Sequence, residues 1–287
     1  MSAIYRKELH LYFRSAFGYV IMALLLLFEG VFVTVFNLAL SSSDFLYSLD
    51  AMKLVLILLL PLLAMRTVAE ERHTHTDQLL FSLPLRLRDV VLGKYFAMLT
   101  LFAIPTLVTA LYPLLLSGMG SVSLPTAYTA LFGYFLMGAA VIALCAFVCS
   151  LVENQILAAA LSVGACLLFY FMDMLSGILP ATALASYLFC LLGALLLGLL
   201  SWRLSRSLPF GLITAILLVL VTSLVYFINA DLFVCLVPNF LTSINVFGRM
   251  LGFSYGHLDL GGILFFLSFI TVFLFFTVQS MENRRRA

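Results

Sequence analysis

The chain has 287 residues, of which 64% are hydrophobic and only 10% charged, with a formal net charge of +2. Such a composition excludes an ordinary water-soluble globular domain, and the small net charge points to neither nucleic acid nor an acidic substrate. Several apolar runs reach the roughly 20 residues that a helix needs to cross about 30 Å of hydrocarbon. The expected fold class is an all-α polytopic membrane protein, with residues 1–287 forming a single transmembrane domain.

The first residues, SAIYRKELHLYFRS, do not read as a cleavable signal peptide. Glu8 interrupts the basic flank of Arg6, Lys7 and Arg14, the run that follows has full spanning length, and no small-residue cleavage site precedes another domain. Residues 1–16 read instead as an interfacial amphipathic helix, with Ile4, Leu9, Leu11, Tyr12 and Phe13 toward lipid. About eight transmembrane helices follow. The first two are expected at 17–40 and at 52–69, the second shortened by Pro61. The third is expected at 94–117, with Pro105 and Pro113 as kinks. The others are expected at 125–150, 156–175, 181–200, 208–228 and 260–281. Residues 229–258 are too apolar for a free loop. They predict a short helix or a re-entrant segment on the extracytoplasmic face, its backbone covered by protein or lining a watery cavity.

Between the second and third spans, residues 66–93 form the one long charged interval. Glu70, Glu71, Arg72, Thr74, Thr76 and Asp77 belong in water beside the bilayer. After them Leu79, Leu80, Phe81 and Leu83 make an apolar ridge, ended by Pro84, which has no amide proton to continue a helix. The pattern predicts a short helix over about 68–82, then a second helix start with Asp89 as N-cap. From these residues alone, a connecting loop resting on lipid and a handle for a soluble partner are equally good readings.

Lys and Arg set the expected orientation. With the N-terminus inside, Arg6, Lys7, Arg14, Arg66, Arg72, Arg86, Arg88, Lys94, Arg203, Arg206 and Arg284 to Arg286 are cytoplasmic. Of the 15 cations this leaves only Lys53 and Arg249 outside. Both termini are therefore expected in the cytoplasm.

Few residues suggest chemistry. Glu29 lies near the middle of the first span, where an ionised carboxylate is costly. It is either a proton-, cation- or substrate-linked site or a protonated, hydrogen-bonded carboxyl that fixes packing. On the packing reading, Glu29→Gln should be mild and Glu29→Leu worse. Asp173, toward the outer end of the fifth span, is more easily solvated. His73 and His75 point to different faces of a helix and have no third ligand, so no metal site is expected. Cys145 and Cys149, one turn apart, read as core cysteines. Ala158 with Ser162, Ala160 with Gly164, and Ala194 with Gly198 have the four-residue spacing that lets helices approach. No Ser–His–Asp set appears, and no G-x-x-x-x-G-K-[ST] loop, so the chain itself is not an ATPase.

Four motif groups carry a family resemblance. At the N-terminus stand Lys7-Glu8-Leu9, Tyr12-Phe13, Ser15 and Phe17-Gly18-Tyr19. In the charged interval stand Glu70-Glu71-Arg72, Leu79-Leu80, Ser82-Leu83-Pro84, Asp89 and Val91-Leu92-Gly93-Lys94. Further on come Cys149-Ser150-Leu151, Glu153-Asn154-Gln155 and Ala158-Ala159, and then the ending NFLTSINVFGRMLGFSYGHLDLGGILFFLSFITVFLFFTVQSMENRRR. Together these cover about two thirds of the chain, and they resemble type-2 ABC exporter permeases, closest to the gliding-motility and copper-maturation branch. The resemblance implies an N-terminal elbow helix and a coupling helix at 66–93 that docks on a separate cytoplasmic ATPase subunit. ATP and Mg would bind on that partner, and this chain would bind no cofactor. It also implies pairing with a second copy or a related permease in the plasma membrane of a bacterium. Coupling would then fall to Glu70, Glu71, Arg72, Leu79, Leu80, Leu83 and Pro84. The middle departs from the pattern, since many relatives have six spans and 181–228 adds two. The alternative from another class is a proton-coupled secondary transporter working through Glu29.

Overall fold

The computed structural model describes residues 1–40, 44–69, 86–118, 122–205 and 208–286. These residues are helical almost throughout, with no strand among them, and divide into two compact units. The first unit comprises residues 1–170 and 246–287, the second residues 171–245. In a bilayer every backbone polar group must be satisfied within the protein, which helices achieve locally.

The first unit begins with α1 (Ser2–Arg14) and α2 (Ala16–Phe32), which continues as a π-helix over Val33–Ala39. Next come α3 (Leu46–Ala64), a π-helical extension at Met65–Ala69, α4 (Leu87–Thr109), α5 (Tyr112–Ser117), α6 (Leu124–Leu151) and α7 (Gln155–Tyr170). The second unit holds α8 (Met172–Ile178), α9 (Ala183–Ser205), α10 (Leu208–Ile228), a 3-10 turn at Ala230–Phe233 and α11 (Leu236–Ile244). The chain then completes the first unit with a 3-10 turn at Gly248–Tyr255 and α12 (Leu260–Arg286).

Helix α6 is the axis of the first unit, packed by α3, α4, α7, α12 and the Gly248–Tyr255 turn. Its sequence explains this place: Gly133, Gly138, Ala139, Ala140, Ala143 and Ala146 leave room for close neighbours on several sides. Gly138 is the tightest of these positions. A Cβ there would lie 2.3 Å from Cε1 of Phe102, so the aromatic ring of α4 rests on bare backbone. Beside it the Tyr95 hydroxyl donates to the Ala139 carbonyl at 3.2 Å, tying α4 to α6 again.

In the second unit α9 and α10 form an antiparallel pair. Tyr187 stacks on Tyr226 with ring centroids 4.4 Å apart, its hydroxyl 2.9 Å from that of Ser223, and Ser201 meets Thr214 at 2.6 Å. Phe233 closes the end of this pair against both tyrosines. The chain bends by 116° between α10 and the segment from Ala230 to Ile244, and α11 packs on α8.

Among the described residues five helices are long and apolar enough to cross a membrane: Ala16–Ala39, Leu46–Ala69, Leu87–Ser117, Leu124–Leu151 and Leu260–Arg284. The count rises to 7 if each of two interrupted pairs, α7 with α8 and α10 with the segment to Ile244, is one span. The expected span at 181–200 corresponds to α9, which runs from Ala183 to Ser205. Two expected boundaries also differ. Pro61 does not shorten the second span, which starts at Leu46 and runs through it. Its missing backbone bond is outweighed by full burial of Leu56, Leu60 and Leu63 around it. Helix α4 starts at Leu87 with Arg86 as its cap, and Asp89 lies inside the first turn, where an acid complements the helix dipole. Pro105 is carried within α4, and the break comes after Thr109, where Pro113 helps to start α5.

Candidate functional site

Helix α1 is held to the protein by a single row of residues. Ile4, Glu8 and Tyr12 recur every four residues, so they share one helix face, and all three are buried. The expectation that Ile4 and Tyr12 face lipid is thus corrected, while Leu11 is exposed and Leu9 and Phe13 are half-buried. Glu8 explains the reversal. A carboxylate in the middle of this row needs a partner, and α4 provides Lys94, which is 2% exposed. The Lys94 ammonium lies 3.8 Å from the Glu8 carboxylate and donates to the Thr67 carbonyl in the π-helix that ends the second span. Lys7 lies 3.4 Å from the same carboxylate.

The other residues of α1 reinforce both attachments. Ile4 lies over Gly93, where a Cβ would come within 3.0 Å of Cγ2 of Ile4. The hydroxyls of Tyr5 and Thr100 are 3.0 Å apart. On the α3 side the Tyr12 hydroxyl donates to the Leu63 carbonyl at 3.2 Å and meets the Thr67 hydroxyl. Just beyond α1, Arg66 stacks over the Phe17 ring of α2 at 4.5 Å. One short helix therefore binds Leu63–Thr67, just before the charged interval, to Gly93–Thr100, just after it. Glu70, Glu71, Arg72, Leu79, Leu80, Leu83 and Pro84, and also His73 and His75, lie outside the described residues.

A second clasp joins α12 to the α6–α7 turn. Arg284 donates to the Leu151 carbonyl at 2.8 Å and to the Glu153 carboxylate at 3.2 Å, and the Ser280 hydroxyl donates to the Ser150 carbonyl at 3.2 Å. These donors serve carbonyls at the C-terminus of α6, which have no partner within their own helix.

Glu29 is 1% exposed and continues the buried row Gly18, Ile21 and Leu25 of α2, which packs on α3 and α4. Neither carboxyl oxygen has a hydrogen-bond partner among the described residues. The side chain thus faces the interior of its own unit. Asp173 is exposed in the first turn of α8. Cys145 and Cys149 are fully buried, but each meets α7: Cys145 Sγ is 3.6 Å from that of Cys166, and Cys149 Sγ is 3.4 Å from the Ser162 hydroxyl. Of the paired small residues, Ala158 with Ser162 and Ala194 with Gly198 are buried, whereas Ala160 and Gly164 are exposed. Among the described residues no three His, Cys, Asp or Glu side chains converge as metal ligands.

The sequence reading missed Glu8, Lys94, Tyr12 and Thr67 as one cluster. A signal was present, since Glu8 interrupts the apolar row of α1 and Lys94 stands at the start of an apolar run.

Spanning helices gathered round a buried axis, with a clasped N-terminal helix, define a polytopic membrane protein. Residues 19–208 match the profile of the ABC-2 family transporter proteins, and the chain belongs to that family of transport permeases. Among curated proteins none matches the chain.

Proposed function

We propose that this chain is the membrane subunit of an ABC exporter, coupling ATP hydrolysis by a separate cytoplasmic ATPase to substrate movement across the plasma membrane. The observation that carries this reading is the staple of α1 across both roots of the interval 66–93. A loop that receives force from a soluble partner needs roots that move together with the bundle, and α1 joins the last turns of the second span to the start of the third. In this reading Leu79, Leu80 and Leu83, ended by Pro84, fill a cleft of the ATPase, and Glu70, Glu71 and Arg72 pair at the rim. ATP and Mg bind on the partner. Two permease subunits, identical or related, enclose the path, and motion of the loop tilts their spans between inward and outward states. The charge split places both termini and the loop in the cytoplasm. Labelling of a cysteine at position 75 by an impermeant reagent added outside intact cells would overturn that orientation.

A proton-driven carrier is the second reading, favoured by the buried, unbonded carboxyl of Glu29. Coupled transport of that kind calls for several acids near the midplane. Glu29 is the one acid buried in the described spans.

The test replaces Leu79 and Leu80 together with Asp. A buried apolar anchor contributes roughly 2 kcal/mol at a hot spot, so recovery of the ATPase in a pull-down should fall more than about tenfold. The spans still insert, because the change lies outside hydrocarbon. Normal recovery with normal ATP turnover in the reconstituted complex would remove the reading, and transport that persists without ATP but collapses with the proton gradient would establish the second one.

A further inference from the structure

The Gly248–Tyr255 turn is seated on the first unit by Val246, Phe247, Met250 and Phe253, each at most 2% exposed. With about three residues per turn, Arg249 falls off the row made by Phe247, Met250 and Phe253. Its guanidinium carbon lies 5.3 Å from the centre of the Phe265 ring on α12. Its Nε is buried without a hydrogen-bond partner, and no carboxylate of the described residues lies within ion-pair distance. The nearest acid along the chain, Asp259, accepts instead from the Gly261 amide at 3.0 Å. Lys53, the other cation that the charge split places on this side, is paired with Asp50 at 2.5 Å. Arg249 is therefore a held, unneutralised cation.

An unpaired guanidinium stacked on a ring has its plane fixed and its N–H edge free for two-point recognition of an oxyanion. The surroundings indicate where that oxyanion comes from. Tyr255, Leu258 and Leu260 are 79%, 60% and 72% exposed, and Leu260 opens the spanning helix α12. Exposed aromatic and aliphatic side chains at the mouth of a span mark the headgroup level of a bilayer. We propose that Arg249, held on Phe265, binds the phosphate of an anionic phospholipid at the start of α12. An anionic lipid fits better than a zwitterionic one, because the latter brings its own ammonium group and leaves the positive charge in place.

The test uses the purified full-length chain in detergent, with phosphatidylglycerol, phosphatidylcholine and sn-glycerol 3-phosphate as probes, and native mass spectrometry of retained ligand as the readout. Wild type should retain phosphatidylglycerol at a roughly tenfold lower concentration than Arg249→Gln, the loss of one charge-assisted contact. Arg249→Lys, which keeps the charge but loses the fork, should fall between them. Equal retention by wild type and Arg249→Gln overturns the proposal, as does phosphatidylcholine held as tightly as phosphatidylglycerol. Glycerol 3-phosphate binding as well as the lipid overturns the bilayer source. If Arg249→Gln fails to fold, Arg249→Lys carries the test, and retention equal to wild type overturns the proposal.

Discussion

Lys94 of α4 lies 3.8 Å from Glu8 of α1, and both side chains are at least 95% buried. A buried ion pair is weak evidence of stability, because desolvation offsets most of its attraction, but it is strong evidence of position. The pair joins α1 to α4, so it fixes where the N-terminal helix sits on the bundle. That seat spans the two roots of the charged interval.

Lys94→Met should lower stability by roughly 1–3 kcal/mol, since it removes a charged donor from both the buried Glu8 carboxylate and the Thr67 carbonyl. Glu8→Gln should cost less, because Lys94 keeps that carbonyl. The double variant should be less harmful than the sum of the two, by about 1 kcal/mol or more. Thermal unfolding in detergent, with proteolysis near residue 15 as a local probe, checks this, and additive losses would show that the pair does not act as a unit.

For Glu29 the geometry reverses the order expected from sequence. Glu29→Leu was expected to be worse than Glu29→Gln because it removes hydrogen bonding, but the carboxyl oxygens make no such bond. Glu29→Leu should then be neutral or stabilising, within about 1 kcal/mol, and Glu29→Gln the less stable of the two, because it buries an unsatisfied amide. Melting temperatures of the two variants decide. A loss above about 2 kcal/mol in Glu29→Leu would reveal a polar partner for the carboxyl.

Gly138→Ala should destabilise the first unit by roughly 1–3 kcal/mol, as expected for overpacking a tight core. The new methyl would overlap the Phe102 ring, which is 1% exposed and stacked on Phe135, so it has little room to move. Phe102→Leu in the same chain should recover part of the loss. A Gly138→Ala protein as stable as wild type would show that α4 and α6 are loosely packed there.

At the α12 clasp the two partners should behave unequally. Glu153 is 75% exposed on its side chain, so Glu153→Ala should cost under about 0.5 kcal/mol and matter less at high salt. Arg284→Ala should cost more, roughly 1–2 kcal/mol, because it also removes the donor from the Leu151 carbonyl. Equal effects in a salt titration of thermal stability would place the clasp's strength in the ion pair rather than in the cap.

What the sequence by itself determined was the partition of each segment between lipid and water. That partition is a sum over single residues, each with its own transfer free energy, so the bounds of the span Ala16–Ala39 and of α6, α10 and α12 were legible within a few residues. Local punctuation misled where tertiary packing outweighed it, as at Pro61, which is carried within a helix among the buried side chains of Leu56, Leu60 and Leu63. The face on which α1 binds was not legible, because the apolar row Ile4 and Tyr12 suits lipid and protein equally. Only the fold brings Lys94 to Glu8 across 86 positions of chain and gives the carboxylate a reason to turn inward. The same holds for Glu29 and Arg249: their charges are visible in the sequence, but whether each has a partner depends on which helices surround it, a pairwise property that only the tertiary structure decides.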